Sequence, residues 1–315
     1  MILPGLDNIN SDIELLTPQV HKNIALIPLK TKRNYAIDLL TLKKGMELGL
    51  AEVKECEQSQ VNTLIVKNQS VNPLILIDGE EVVGGDQNRI INSTIVIAPN
   101  SAMPIPVSCT EQGRWAYKKE FEDSSYIANY KTRRAKEYAK RNYGQVQGAV
   151  WSSIKDVEDE NSFASPTSAL SESYDNLTKS HSEILGFFEI ADGQNGVLII
   201  ADGEIKGFEL FLNSEIYKEF HEKILKSYLI DLKIENEESS INIDEARLAL
   251  DNAMDSSFEK REKIGIEDSF EFENEKGLGV ISVYENEIIH WSYFKKSEYM
   301  IEDEIHEDAE LESQV

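Results

Sequence analysis

The stretch TLIVKNQSVNPLILIDGEEVVGGDQNRIINSTIVIAPNSAMPIPVSC, residues 63–109, decides the fold. Four runs in it, TLIVKN (63–68), PLILID (73–78), RIINSTIVIAP (89–99) and AMPIPVSC (102–109), are apolar and rich in β-branched residues. Asn, Gly and Pro punctuate them at short spacing, the pattern of antiparallel strands joined by tight turns in a sandwich or barrel. Upstream, IALIPLK (24–30) and GLAEVKE (49–55) have the same strand character, and Leu39 to Gly49 between them has the spacing of a short helix. The first half therefore reads as mainly β.

Downstream the pattern changes. Lys131, Arg133, Arg134, Lys136, Lys140 and Arg141 crowd a helix-compatible segment, read as an exposed helix face or as the positive entrance to a pocket. From Asp156 to Ser182 the chain is rich in Ser, Asp, Asn and Glu, the composition of a linker or mobile loop. Beyond it, GFFEIADG (186–193), GVLIIADG (196–203) and EIKGFELFL (204–212) read as strands with Asp-Gly turns. Ser214 is placed to cap a helix whose Ile216, Phe220, Ile224 and Leu225 form one buried stripe. A second helix starts near Asp244, and GLGVISVYE (277–285) and EIIHWSYF (287–294) close the chain as strands turning at Asn286. The expected class is α+β, with a mainly antiparallel β N-terminal half, sandwich or barrel-like, and an α+β C-terminal half. The expected division is a β domain over 1–155, a linker over 156–182, an α+β domain over 183–300 and an acidic tail over 301–315.

Charge is distributed unevenly along the chain. The net charge is −25, yet residues 1–150 carry 18 Lys and Arg against 17 Asp and Glu, and residues 151–315 carry 14 against 40. An acidic half repels phosphate backbones, which disfavours nucleic acid as a partner and leaves a small anionic ligand in the first half compatible. No apolar run approaches the roughly 20 residues of a bilayer span, and the start MILPGLDNINSDIE lacks a basic n-region. The expectation is a cytoplasmic chain with no membrane partner, in which the two cysteines, Cys56 and Cys109, stay reduced.

Chemistry concentrates in two polar runs that leave apolar strands. In DGEEVVGGDQNR (78–89), Gly79, Gly84 and Gly85 open backbone conformations closed to other residues. Glu80 and Glu81 are candidate acid and base, Gln87 and Asn88 offer donors and acceptors, and Arg89 suits a carboxylate or phosphate. In SCTEQGRW (108–115), Ser108, Glu111 and Arg114 repeat that mix and Trp115 offers a stacking wall. The two runs converge on one pocket if their strand ends are neighbours. The alternative is an interior network of Arg–carboxylate pairs. Cys109 followed by Arg114 resembles a cysteine-phosphatase loop with one residue too few, and the chain has no Walker loop, GxGxxG, HExxH or GxSxG. No cofactor is indicated and no metal-ligand set is assigned, although a cation between Glu80 and Glu111 is an auxiliary option. Among the five histidines, His290 alone falls in a core element.

The segment DGEEVVGGDQNR followed by IPVSCTEQGRW (105–115) resembles the bacterial and archaeal ARG-and-rhodanese-phosphatase-associated protein family (the type-1 ARPP domain). The similarity runs from about Leu3 to near Asp255 and takes in GVLIIADGEIKGFELF (196–211) and KILKSYLIDL (223–232). Its polar signature falls on Glu80, Gln87, Asn88, Arg89, Ser108, Glu111, Gly113, Arg114 and Trp115, and Asp86 stands where a small or basic residue is expected. The family's name comes from neighbouring genes for ADP-ribosylglycohydrolases and phosphatases, so the resemblance implies a place in NAD and ADP-ribose metabolism but transfers no reaction. Together these readings give two expectations. One is a protein that binds or hydrolyses an ADP-ribose-like or other phosphorylated nucleotide, with Glu80 or Glu111 as catalyst, Gln87, Asn88, Arg89, Ser108 and Arg114 as ligand contacts, and Trp115 against a ring. The other is a non-enzymatic scaffold or homo-oligomer in which the same motifs are structural.

Overall fold

The structure, a computed structural model, describes residues 12–32, 37–56, 61–114, 116–142, 144–160, 165–298 and 300. The deciding stretch supplies four strands to a six-stranded sheet and two to a smaller one. The order in the larger sheet is Glu122–Ile127, Glu80–Val83, Arg89–Ile91, Ser101–Cys109, Thr63–Asn68 and Ala51–Glu55, with every pairing antiparallel. A three-stranded sheet, Ile95–Ile97, Leu74–Leu76 and Leu40–Thr41, packs against it. Val53, Leu64, Val66, Val82, Ile91, Ile105 and Val107 from the larger sheet meet Leu40, Leu74, Leu76, Ile95 and Ile97 from the smaller in one buried cluster. The first half thus contains the expected sandwich.

Successive strand residues point to opposite faces. Ile91 enters the sandwich core, while its neighbour Ile90 packs on the other face with Val150, Ile154, Val157, Leu170 and Tyr174. Those residues come from two helices, Val146–Glu160 and Leu170–Phe187, which occupy much of the stretch expected as a linker. Its polar composition is that of helix faces turned to solvent, and a sparse apolar stripe suffices to hold the helices to the sheet.

A nine-stranded antiparallel sheet carries the rest. Ile13–Leu15, Gln19–His21 and Ile24–Thr31 join Gly196–Ala201, and the sheet continues through Glu204–Phe211, Glu287–Lys295, Gly277–Tyr284 and Asp268–Glu273 to Ser257–Lys260. It therefore unites segments from both sides of 156–182. Ile24, Leu26, Val197 and Ile199 face one core, and Ala25, Ile27, Leu198 and Ile200 face another. Burial on both faces explains why these runs are apolar without alternation. The helix Ser214–Leu229 covers one face, and the helix Ile243–Met254 places Ala246, Leu250 and Ala253 on the other. The first of these helices is capped one residue earlier than expected, since Asn213 accepts from the Ile216 N–H at 2.9 Å. GFFEIADG does not form a strand: Phe187 ends a helix and the following residues are a loop. No helix among the described residues is long and apolar enough to cross a membrane. The acidic tail 301–315 lies outside the described residues.

Candidate functional site

The two polar runs do meet, because the strands that carry them are neighbours: Cys109 pairs with Arg89, and Val82 also pairs with Arg89. Between them Gly84 and Gly85 turn with φ of 132° and 51°, and a Cβ on Gly85 would lie 2.3 Å from the Phe121 ring. That turn aims two carbonyls at Arg114. The guanidinium donates from Nε to Glu111 Oε2 (2.8 Å), from Nη1 to Gly85 O (2.8 Å) and Ala116 O (2.7 Å), and from Nη2 to Gly84 O and Asn88 Oδ1 (both 3.1 Å). Its five N–H groups thus have five internal acceptors. Gln87 Nε2 donates to Glu111 O at 2.9 Å and the Asn88 N–H to Glu111 Oε2 at 3.3 Å. Burial pushes the Glu111 carboxyl up, but Arg114 more than reverses that and holds it below the usual range.

The remaining expected site residues divide between interior and surface. Arg89 is 2% exposed; Nη1 reaches Asn88 O at 3.3 Å, Nη2 lies 3.9 Å from Glu55, and Nε has no hydrogen-bond partner. Glu80 is fully buried, accepts from the Ile77 N–H at 2.9 Å and faces Lys223 at 3.5 Å. Burial lifts its carboxyl to about 7 despite Lys223. Glu81, also fully buried, accepts from the Thr110 hydroxyl at 2.7 Å and is lifted by burial to about 7. Cys109 is buried against Gln87 Oε1 at 3.0 Å, and burial raises its thiol pKa, the opposite of an activated nucleophile. Ser108 is buried in the strand but borders an open cleft. Trp115 lies outside the described residues. No group of three or more potential metal ligands occurs among the described residues.

The basic run of Tyr130–Arg141 corrects the reading of it as an exposed helix face. Arg133 and Lys136 are fully buried. Arg133 donates from Nη1 to Glu209 Oε1 at 2.5 Å and from Nε to Asp78 Oδ2 at 3.3 Å, and Lys136 bonds the other Asp78 oxygen and Asn92 O. Glu209 also meets His290 Nε2 at 2.8 Å, and His290 Nδ1 meets the Thr94 hydroxyl at 2.8 Å. Burial pushes Glu209 up, while Arg133 and His290 hold it below the usual carboxylate range. This network joins helix, large sheet and the turn that begins the GEE run. Sequence reasoning missed it because Glu209 is isolated in an apolar run, Asp78 opens a polar run that reads as a turn, and both lie far along the chain from Arg133.

One end of the same helix opens to solvent. A cleft of about 1200 Å³ is bordered by Asn92, Ser93, Ser108, Lys140, Arg261 and Lys263. The first turn of the helix Val146–Glu160 forms another wall, with Gln145, Val146 and Gln147. Gln147 is fixed there because it accepts from the Cys109 N–H at 2.8 Å and donates to Cys109 O at 3.0 Å. Glu262 and Glu271 also border the cleft; Arg261 donates to Glu271 at 2.6 Å and reaches behind the wall to Glu137. Lys140 bonds Asn92 O, Ser93 Oγ and Glu137, and burial with Lys136 and Arg261 nearby lowers its ammonium to about 8 despite Glu137. Cations, hydroxyls, amides and the first turn of a helix on one concavity can take an anion. Lys140 carried a sequence signal as part of the basic run. Arg261 and Lys263 carried none.

A family model for the ARG and Rhodanese-Phosphatase-superfamily-associated Protein domain matches residues 12–294. No curated protein and no solved structure matches the chain.

Proposed function

The chain belongs to that family, and on that premise we propose that it binds an ADP-ribose-like or other phosphorylated nucleotide in the cleft beside Ser108. The observation that carries the reading is the convergence of Lys140, Arg261 and Lys263 with the first turn of the helix at Val146 around an open volume of about 1200 Å³. In a chain of net charge −25, Lys140, Arg261 and Lys263 against Glu262 and Glu271 leave this concavity a small excess of positive charge, which favours a small anion there over the acidic remainder of the chain. The family name's association with ARG proteins supports an ADP-ribose-like ligand.

The GEE, QNR and GRW residues have a different place in this proposal. Arg114 has its N–H groups occupied by Glu111, Asn88 and three carbonyls. Glu80 and Glu111 are tied to Lys223 and Arg114. The described residues of these motifs are the frame from which strand Ser101–Cys109 presents Ser108, so the proposal is binding and does not route a hydrolytic step through either glutamate. For the motifs themselves, the saturation of Arg114 favours the structural reading over direct ligand contact.

Thermal denaturation with ADP-ribose and with inorganic pyrophosphate tests the proposal. A ligand at a hundred times its Kd stabilises the folded state by about 3 kcal/mol, so wild-type protein should melt several degrees higher. Lys263→Glu, a change at a half-exposed side chain whose ammonium also lies 3.6 Å from Asp268, should remove most of that increment and cost the ligand-free protein no more than the ~1 kcal/mol of a surface ion pair. Arg114→Gln should do the reverse, lowering the ligand-free midpoint and keeping the increment. A shift that survives in Lys263→Glu and vanishes in Arg114→Gln moves the ligand to the motif, and no shift with either compound leaves the scaffold reading.

A further inference from the structure

One turn along the helix that walls the cleft, a second and smaller concavity of about 290 Å³ is bordered by Gln112, Trp151, Ile154, Lys155, Glu158 and Ser168, among others. Its volume is near the lower end of ligand pockets. Trp151 is half-buried, and its indole Nε1 is buried with no hydrogen-bond partner. Whatever of the side chain is open is therefore carbon and not the polar Nε1. Tyrosine and tryptophan ordinarily direct the polar atom toward water or a partner, so this orientation needs a reason. Gln147, which borders the larger cleft, is followed at i+4, i+7 and i+8 by Trp151, Ile154 and Lys155 on the same helix face. Four residues of helix advance about 6 Å, a step that the sugar of a nucleotide can bridge.

We infer that Trp151 is the base-stacking subsite of the ligand whose phosphates occupy the larger cleft, so the substrate class is a nucleotide and not a sugar phosphate or free pyrophosphate. This rests on the reading of that cleft given above. Lys155 lines the same concavity, the amide of exposed Gln112 offers a donor and an acceptor to the edge of a heterocycle, and Ser168 Oγ, which donates to Glu158 at 3.4 Å, offers an acceptor. Stacking of one base on an aromatic side chain tightens binding by roughly tenfold to a hundredfold.

Isothermal titration of the full chain with ADP-ribose, ribose 5-phosphate and pyrophosphate tests it. ADP-ribose should bind at least tenfold more tightly than pyrophosphate, and more tightly still than ribose 5-phosphate. Trp151→Ala should bring ADP-ribose down toward the affinity of pyrophosphate while leaving the pyrophosphate Kd unchanged, and Trp151→Phe, which keeps a ring, should retain most of the advantage of ADP-ribose. Equal affinity of wild-type protein for ADP-ribose and pyrophosphate would overturn the subsite and leave the phosphate cleft standing, as would equal weakening of all three ligands in a folded Trp151→Ala. Binding of none of the three overturns the cleft and the subsite together.

Discussion

Replacing Arg133 with methionine is expected to lower the free energy of unfolding by about 3–5 kcal/mol, the cost of leaving buried carboxylates without their cation. Arg133 is fully buried between Glu209 and Asp78, and its guanidinium also lies 5.0 Å from the centre of the Phe294 ring. The space it fills is made by glycine: Gly79 turns with φ of 83°, and a Cβ there would sit 2.7 Å from the Arg133 side chain. Without the arginine, Glu209 keeps only His290 and Asp78 keeps only Lys136. Chemical denaturation of Arg133→Met measures the loss. Because the two residues act on one another, Arg133→Met combined with Glu209→Gln should be more stable than the sum of the single changes allows. A loss under about 1 kcal/mol in the single variant would mean that these charges are solvated and do not lock helix to sheet.

Stability should also fall as the pH rises from about 5 to about 8. Burial lifts Glu80 and Glu81 from the usual 4.5 to about 7, and Asp231 from 3.8 to about 7. The folded state therefore holds protons that the unfolded chain has already released across that window, and each such group loses stability as pH climbs through its folded value. The effect is complete above about 7 and absent below the unfolded values. Glu137 and Glu209 work in the opposite sense: their cations hold them below the usual range against the pull of burial, so their contribution disappears as pH falls below about 4.5. The two sets place the maximum near pH ~5. Glu81 is the cleanest probe, because one carboxyl oxygen accepts from Thr110 and the other is buried with no hydrogen-bond partner. A carboxyl lifted that far corresponds to about 3 kcal/mol, so Glu81→Gln should gain a large part of that at pH 8 and change little at pH 5. Denaturation curves at both pH values check it, and equal effects at the two would show that Glu81 is ionised in the fold.

The strands of 63–109 were legible in the sequence because β-branched runs between Asn, Gly and Pro carry their own local signal. The meeting of QNR and GRW was legible for the same reason: both runs leave strands that the short spacing makes neighbours, and Asn88, Glu111 and Arg114 do touch. What those contacts do was not legible. Whether an arginine faces a ligand or a ring of carbonyls depends on the path of the Gly84–Gly85 turn, which residue types alone do not fix. The burial of Arg133 and Lys136 was hidden in another way, since a basic helix stripe looks solvent-facing until its acids arrive from Asp78 and Glu209. The helices over 156–182 were obscured by sparse apolar content, with Val157, Leu170 and Tyr174 widely spaced among polar residues. Arg261 and Lys263 sit in a charged connection with no periodicity, and only the packing of strand Asp268–Glu273 beside the helix brings them to the cleft.

Where a heavy anion binds tests most directly whether the phosphate surface is this cleft, with the GEE, QNR and GRW residues as its frame. Crystals soaked with tungstate and located by anomalous scattering should show density among Lys140, Arg261, Lys263 and the first turn of the helix at Val146, with the Arg114–Glu111 pair undisturbed. Density against Arg89 or Arg114, with the Arg114–Glu111 pair opened, would contradict it.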